Sequence, residues 1–331
     1  MILLIFVMIS CKKDSIAEDN NTPPVEEEAD RIVVAKDGSG DFTSVQKAID
    51  EVPNNSNDTT VIFIKNGVYK EVITIPESKT FIKLVGEDRD NVVLTYDNYA
   101  SKVNPETGEE YGTSGSASTF VYASDFTAKN ITFRNAAGDV GQALAIYVGS
   151  DRCRFINCKF IGFQDTIFTG GNGNSSQARQ YFKNCYIEGA TDFIFGGARA
   201  VFDNCTIFCV AGGYITAAST PSGVLYGYVF LDCTIKGTAP DESVLLGRPW
   251  RPYAKTVYIN CYLSDVVNPK GWSDWGDPDK QLTALYAEYN SSGPGGDKVN
   301  QRVSWSEQLT SEQAEFYTLK NIFGNWDVQN L

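Results

Sequence analysis

The chain has 331 residues, 42% of them hydrophobic, with a formal charge of −13. That is enough apolar material for one large domain or two ordinary ones, and the acidic balance gives no support to a nucleic-acid binder, which needs a clustered positive surface. No histidine occurs anywhere, which removes Ser-His-Asp and Cys-His hydrolase chemistry and every metal site that relies on imidazole; acid–base catalysis is left to carboxylates, Lys, Tyr or Cys.

Residues 1–10 form a short apolar run, too short to span a bilayer as a mature helix. The following Ser10-Cys11-Lys12-Lys13-Asp14 resembles a bacterial lipoprotein signal, with Cys11 as the lipid-bearing residue after cleavage. An ordinary secretory signal is the alternative: no basic residue precedes the run, and Met8 is an imperfect match three before the cysteine. Residues 11–30 read as an acidic, solvated tether. Positions 12–30 hold seven acids and two bases, and their −5, taken from −13, leaves −8 for the rest. The folded domain is expected over 31–331.

That domain opens with a strand at 31–35 and a Gly-rich turn, Asp37-Gly38-Ser39-Gly40-Asp41. Thr43 and Gln46 fit a capping box, and Val45, Ala48, Ile49 and Val52 share one helical face, so a short helix should run to Pro53, either covering one end of the fold or lying as a plain surface helix. Short β-rich runs follow at 60–65, 71–75, 81–85 and 92–95, each bounded by turn residues.

A repeat then takes over. Asn130-Ile131 is echoed by Asn157-Cys158, Asn184-Cys185, Asn204-Cys205, Asp232-Cys233 and Asn260-Cys261, at spacings of 27, 27, 20, 28 and 28 residues. Six copies rich in Val, Ile, Phe and Tyr, without a leucine-rich consensus, predict a parallel β-helix with about three short strands per coil. The Cys/Ile position would point inward as a small buried ladder. No Cys-x-x-Cys pair occurs, so a zinc or redox centre has no support. Neighbouring ladder cysteines come near enough for a bridge to be considered, with Cys185–Cys205 the leading pair. The repeat ends near Gly271. Thr310 and Gln313 form a second capping box, and Ala314, Tyr317, Leu319 and Ile322 should pack a short helical tail along the outside.

Two coils differ from the others. Only these carry Asp seven residues past the ladder cysteine: Asp165 and Asp192, themselves 27 apart. Parallel strands on adjacent coils lie about 4.8 Å apart, so the two carboxylates should titrate as a coupled pair with one pKa pushed up. The plain alternative is two turn aspartates, but both sit among aromatics, in Phe163-Gln164-Asp165-Thr166-Ile167-Phe168 and Asp192-Phe193-Ile194-Phe195.

Gly67-Val68-Tyr69-Lys70-Glu71, Gln142-Ala143-Leu144-Ala145-Ile146, Gln164-Asp165-Thr166-Ile167, Asp192-Phe193-Ile194-Phe195-Gly196 and Leu246-Gly247-Arg248-Pro249-Trp250 resemble, in order, the signature blocks of pectin methylesterases. The resemblance spans about residues 31–325. It implies an all-β, right-handed single-stranded parallel β-helix, to which the capping boxes above add a short N-terminal capping helix and a tail containing a short helix. It also implies hydrolysis of C6 methyl esters in methyl-esterified homogalacturonan. Asp192 would be the nucleophile and Asp165 the general acid/base. Gln142 and Gln164 would stabilise the oxyanion, and Arg248 would orient Asp192 and lower its pKa. Trp250, Phe163, Phe168, Phe195 and Trp272 are candidate sugar-stacking surfaces, although core packing is at least as good a reading of each. No cofactor and no metal is called for. The expected protein is an exported monomer, either secreted or an outer-membrane lipoprotein facing the periplasm or cell surface. It would touch membrane only through Cys11.

Where the family often has Arg after the Gln-Ala block this chain has Tyr147, to which no substrate role is carried. Gly67, Tyr69 and Glu71 read as structural, and the Gly170–Ser176 loop as mobile and bordering the cleft. A β-helical glycosidase would also suit two carboxylates about 5 Å apart, and a non-catalytic glycan-binding β-helix is the third reading.

Overall fold

The computed structural model describes residues 31–170 and 178–329. The signal, the tether, Cys11 and most of the loop after Gly170 lie outside them.

The chain winds into coils of three parallel faces, the right-handed parallel β-helix. Among the described residues, the first face holds eleven strands in chain order, from Ile32–Val34 to Glu307–Gln308. The second runs through Gly67–Lys70, Val92–Tyr96, Thr132–Asn135 and Lys159–Ile161. The third runs through Ile73–Ile75, Thr119–Val121, Ile146–Val148 and Ile167–Thr169. Two long strands, Tyr186–Gly196 and Thr206–Ala218, bend through the corner and join the second face to the third.

Alternation along each strand fills the lumen. On the first face Phe155, Phe182, Phe202, Phe230 and Tyr258 pair in register. Their rings stack at 4.8, 4.8, 4.6 and 4.3 Å between centroids, with interplanar angles of 15° or less. The coil spacing is close to the aromatic stacking distance, so one ring type repeats without voids.

The repeated Asn is the corner residue. Asn130, Asn157, Asn184, Asn204, Asp232 and Asn260 all have φ between 51° and 57°, a left-handed conformation that Asn and Asp tolerate better than other side-chain-bearing residues. Their amides also bond up the stack: Asn157 donates to Asn130 at 2.8 Å and Asn204 to Asn184 at 2.7 Å.

The next residue, Ile131 or Cys, is turned into the core and fully buried. Each ladder thiol donates to a carbonyl of the preceding coil, Cys185 to Phe155 at 3.3 Å and Cys205 to Phe182 at 3.4 Å. The seven cysteines from Cys153 to Cys261 are free thiols, which corrects the Cys185–Cys205 bridge. Parallel Cα–Cβ bonds on neighbouring coils keep the Cβ atoms about 4.8 Å apart, wider than the roughly 3.5–4.5 Å a disulfide accepts.

The capping helix spans Val45–Glu51 and buries Val45, Ala48 and Ile49 against the first coil. Its cap differs from the Thr43–Gln46 box. Ser44 is the N-cap, and Glu71 reaches across from the wall to accept from the Val45 and Gln46 amides at 2.9 and 3.2 Å. A carboxylate there serves two orphan N–H groups and the positive helix end together. Gln46 instead bonds both ways to the Thr74 backbone, at 2.7 and 3.1 Å, as a strand would. At the other end the Thr310–Gln313 capping box forms as expected. The helix Leu319–Phe323 lays Ile322 and Phe323, with Trp326 and Val328 beyond it, on the outer residues Tyr181, Val201 and Val229 of the first face.

Candidate active site

On the third face the outward positions make one row in register: Phe120, Tyr147, Phe168, Phe195, Ala217 and Arg248. Just before this face, Gln142 pairs with Gln164 and Gln164 with Thr191, while Ile167 pairs with Ile194. Asp165 and Asp192 therefore lie in register on adjacent coils. Both take left-handed backbone, φ 62° and 51°, and the pairing between Gly189 and Ile194 is irregular. The left-handed step common to both turns the two carboxyls out of the strand pattern and onto the floor of a cleft.

The cleft has a volume of about 420 Å³ and is lined by Thr113, Ser114, Gln142, Gln164, Asp165, Phe168, Asp192, Phe195, Ala217, Arg248, Trp250 and Trp275. Arg248 holds Asp192 in a two-pronged ion pair, Nε to Oδ1 at 2.9 Å and Nη2 to Oδ2 at 2.6 Å. Two parallel bonds fix the carboxylate in one plane. Ala217, between Phe195 and Arg248 in the row, has only a methyl group and leaves room for the guanidinium over the floor. Among the described residues, the Asp165 carboxyl and the side-chain amides of Gln142 and Gln164 have no protein hydrogen-bond partner. Four hydrogen-bonding groups thus converge on one space, and only Asp192 is tied down.

The two carboxyls are electrostatically unequal. Burial, then the charge of Asp192, push Asp165 up to about 8, against a weaker pull from Arg248. Burial also raises Asp192, while the hydrogen bonds and charge of Arg248 oppose it. The expected pull of Arg248 is present, but desolvation outweighs it. Asp192 ionises first, and the pair's remaining proton stays on Asp165 through neutral pH. Such a site offers an oriented carboxylate, a carboxylic acid beside it and two unsatisfied amide donors.

Of the aromatic candidates, Trp250, Phe168 and Phe195 line the cleft, with Phe195 edge-on to Phe168 at 5.2 Å and to Trp250 at 5.9 Å. Phe163 is half-buried and does not line it. Trp272 is corrected outright: it is 2% exposed, packed between Tyr258 and Tyr286 inside the lumen. The indole in the cleft belongs to Trp275, three residues on. Tyr147 stacks on Phe168 at 4.5 Å. Trp275 and Tyr214, the two rings against Arg248, gave no sequence signal, since neither falls in a repeat copy or in one of the five sequence blocks.

The family model for pectinesterases matches residues 31–325. Pectinesterase 31 of Arabidopsis thaliana is 41% identical over 286 residues, covering 85% of this chain and 88% of that one. The solved pectin methylesterase from carrot superposes with a TM-score of 0.82 at 31% identity, over 91% of this chain and 96% of its own. A pectin methylesterase in complex with a hexasaccharide gives a TM-score of 0.75 at 30% identity, over 89% and 97% of the two chains. With the coil architecture, the ordered sequence blocks and these likenesses all pointing one way, the chain belongs to the pectinesterase family.

Proposed function

We propose that this enzyme, a carboxylic ester hydrolase, removes methyl groups from the C6 esters of galacturonate units in pectin, with Asp192 as nucleophile. The observation that carries the reading is the unequal carboxyl pair: Asp192 clamped by Arg248 at 2.9 and 2.6 Å, beside an Asp165 that keeps its proton to about pH 8.

The ionised Asp192 attacks the ester carbonyl carbon, and the carbonyl oxygen takes up negative charge in reach of the Gln142 and Gln164 amides. Collapse breaks the bond to the methoxy group, which takes the Asp165 proton and leaves as methanol. The acyl-enzyme, an anhydride at Asp192, is then attacked by water, whose proton goes to the now ionised Asp165. Release of the galacturonate frees Asp192 and leaves Asp165 protonated for the next turn. Trp250, Phe168 and Phe195 offer flat apolar surface to the sugar rings. Two unsatisfied amides favour ester cleavage over glycoside cleavage, because an oxyanion is what they stabilise.

The test is methanol release from highly methylated pectin by wild type, Asp192→Ala and Asp165→Asn. Methanol from wild type alone is expected; chain scission or unsaturated products without methanol would sink the reading. The chain is proposed to act as an exported monomer held to a membrane by lipid on Cys11, on the strength of Ser10-Cys11 after the apolar run. Cys11→Ala should lose detergent-phase partitioning, and an unchanged distribution counts against the anchor.

A further inference from the structure

The guanidinium of Arg248 lies over two aromatic rings. Its Cζ lies 3.8 Å from the ring centroid of Tyr214 and 3.7 Å from that of Trp275. One edge carries the two bonds to Asp192, and the side chain is 20% exposed. Tyr214 comes from the coil wall, in register with Thr191 and Leu245. Trp275 comes from the loop after the last repeat, and its backbone is strained, with φ at 67°. A bulky residue in that region is an outlier that its surroundings must hold.

The loop supplies that hold. Asp274 accepts from the Gly276 amide at 2.8 Å and from Gln281 Nε2 at 2.8 Å, Ser273 Oγ accepts from the Trp275 amide at 3.3 Å, and the Ser273 amide donates to Gly247 at 3.1 Å. The last bond ties the loop to the strand that carries Arg248.

We infer that Tyr214 and Trp275 are positioning residues which clamp Arg248 between two aromatic faces and keep its pair with Asp192 dry and coplanar. This rests on the reading of Asp192 as nucleophile. Stacked rings attract a cation most strongly when it is desolvated, and a charge held away from water acts more strongly on its partner. Trp275 touches the arginine, so its effect on Asp192 passes through the guanidinium. Loosening the clamp weakens the hold of Arg248, which opposes the burial of Asp192. The carboxyl then keeps its proton to higher pH.

Trp275→Leu keeps apolar cover but removes the ring; Trp275→Phe restores a ring. The first readout is direct: the carboxyl 13C titration of Asp192 in the free enzyme, assigned by its loss in Asp192→Asn. Leucine should raise the midpoint by about one pH unit, a tenfold change in ionisation, and phenylalanine should bring it back. The second is methanol release, where the acid limb of kcat/KM should move by the same amount. A leucine variant with an unmoved Asp192 titration and only a higher KM overturns the clamp and makes Trp275 a sugar contact. Should Asp192→Ala still release methanol while the titration shifts as stated, the nucleophile assignment fails and the clamp stands.

Discussion

Asp165→Asn should make the protein more stable while abolishing its activity, and the gain should grow with pH. In the unfolded chain this carboxyl loses its proton near its ordinary value of 3.8, whereas in the fold it keeps it to about 8. Between those values the native state binds one more proton than the unfolded state, so stability falls as pH rises, by about 1.4 kcal/mol for each pH unit. Below the window both states are protonated and no penalty applies; above it both are ionised and the penalty is constant. At pH 7 the wild type thus carries a cost of up to about 4 kcal/mol that a neutral amide removes. The substitution fits the site: the Asp165 carboxyl has no hydrogen bond to the described residues to lose, and Asn suits φ 62° as well as Asp does. Thermal unfolding of the two proteins at pH 4 and pH 8 is the assay. Near-equal melting temperatures are expected at pH 4, with the variant higher by several degrees at pH 8, at about 2 °C per kcal/mol for a domain of this size. A difference that does not change with pH, or a variant less stable at pH 8, would refute the raised carboxyl. Methanol release should meanwhile fall by about 10²- to 10⁴-fold, the range for a lost general acid.

Gln142→Ala should lower kcat by about 10²- to 10³-fold with little change in KM, as loss of one oxyanion donor does; a raised KM with unchanged kcat would place Gln142 in ground-state binding. Arg248→Met leaves the burial of Asp192 unopposed, so the acid limb of the pH–rate profile should move to higher pH, and activity at a fixed pH below that limb should fall about tenfold for every pH unit it moves. Phe202→Ala, in the middle of the lumen stack, should cost about 3–5 kcal/mol in urea unfolding, with kinetics unchanged in the surviving native fraction. Alkylation without reductant should modify all seven thiols from Cys153 to Cys261 in denaturant and essentially none in the native protein.

Residues that obey the coil period were legible from sequence. Asn157 and Asn184 recur because the corner needs a left-handed residue at that step, and Cys158 and Cys185 recur because the next step turns inward onto a narrow ladder. Asp165 and Asp192 inherit their alignment from that period, so a spacing of 27 was enough to bring them together. Residues fixed by contacts between distant segments were not legible. Glu71 caps a helix that begins 26 residues earlier, while a local pattern pointed to Thr43 and Gln46. Trp272 and Trp275 are three residues apart in a stretch with no repeat, and sequence gives no phase to say which indole faces the lumen.

The same distinction explains why the cleft combines regular and irregular parts. A strictly periodic coil can align two carboxyls but treats them alike, and equal neighbouring carboxyls cannot divide into nucleophile and acid. The inequality comes from groups that break the period. The small Ala217 interrupts the outward aromatic row, Arg248 takes the next place in it, and Trp275 folds back from beyond the last repeat to cover the guanidinium. Arg248 bonds to Asp192 and reaches Asp165 only through its charge, so these groups weigh more heavily on the Asp192 side of the pair. Moving the arginine one coil toward the N-terminus, with Ala217→Arg in an Arg248→Ala background, should therefore not rescue activity. A cation at the Ala217 position would lack both aromatic faces and the two-pronged geometry, so recovery of methanol release above the Arg248→Ala level would show that charge alone, and not its placement, makes the carboxyls unequal.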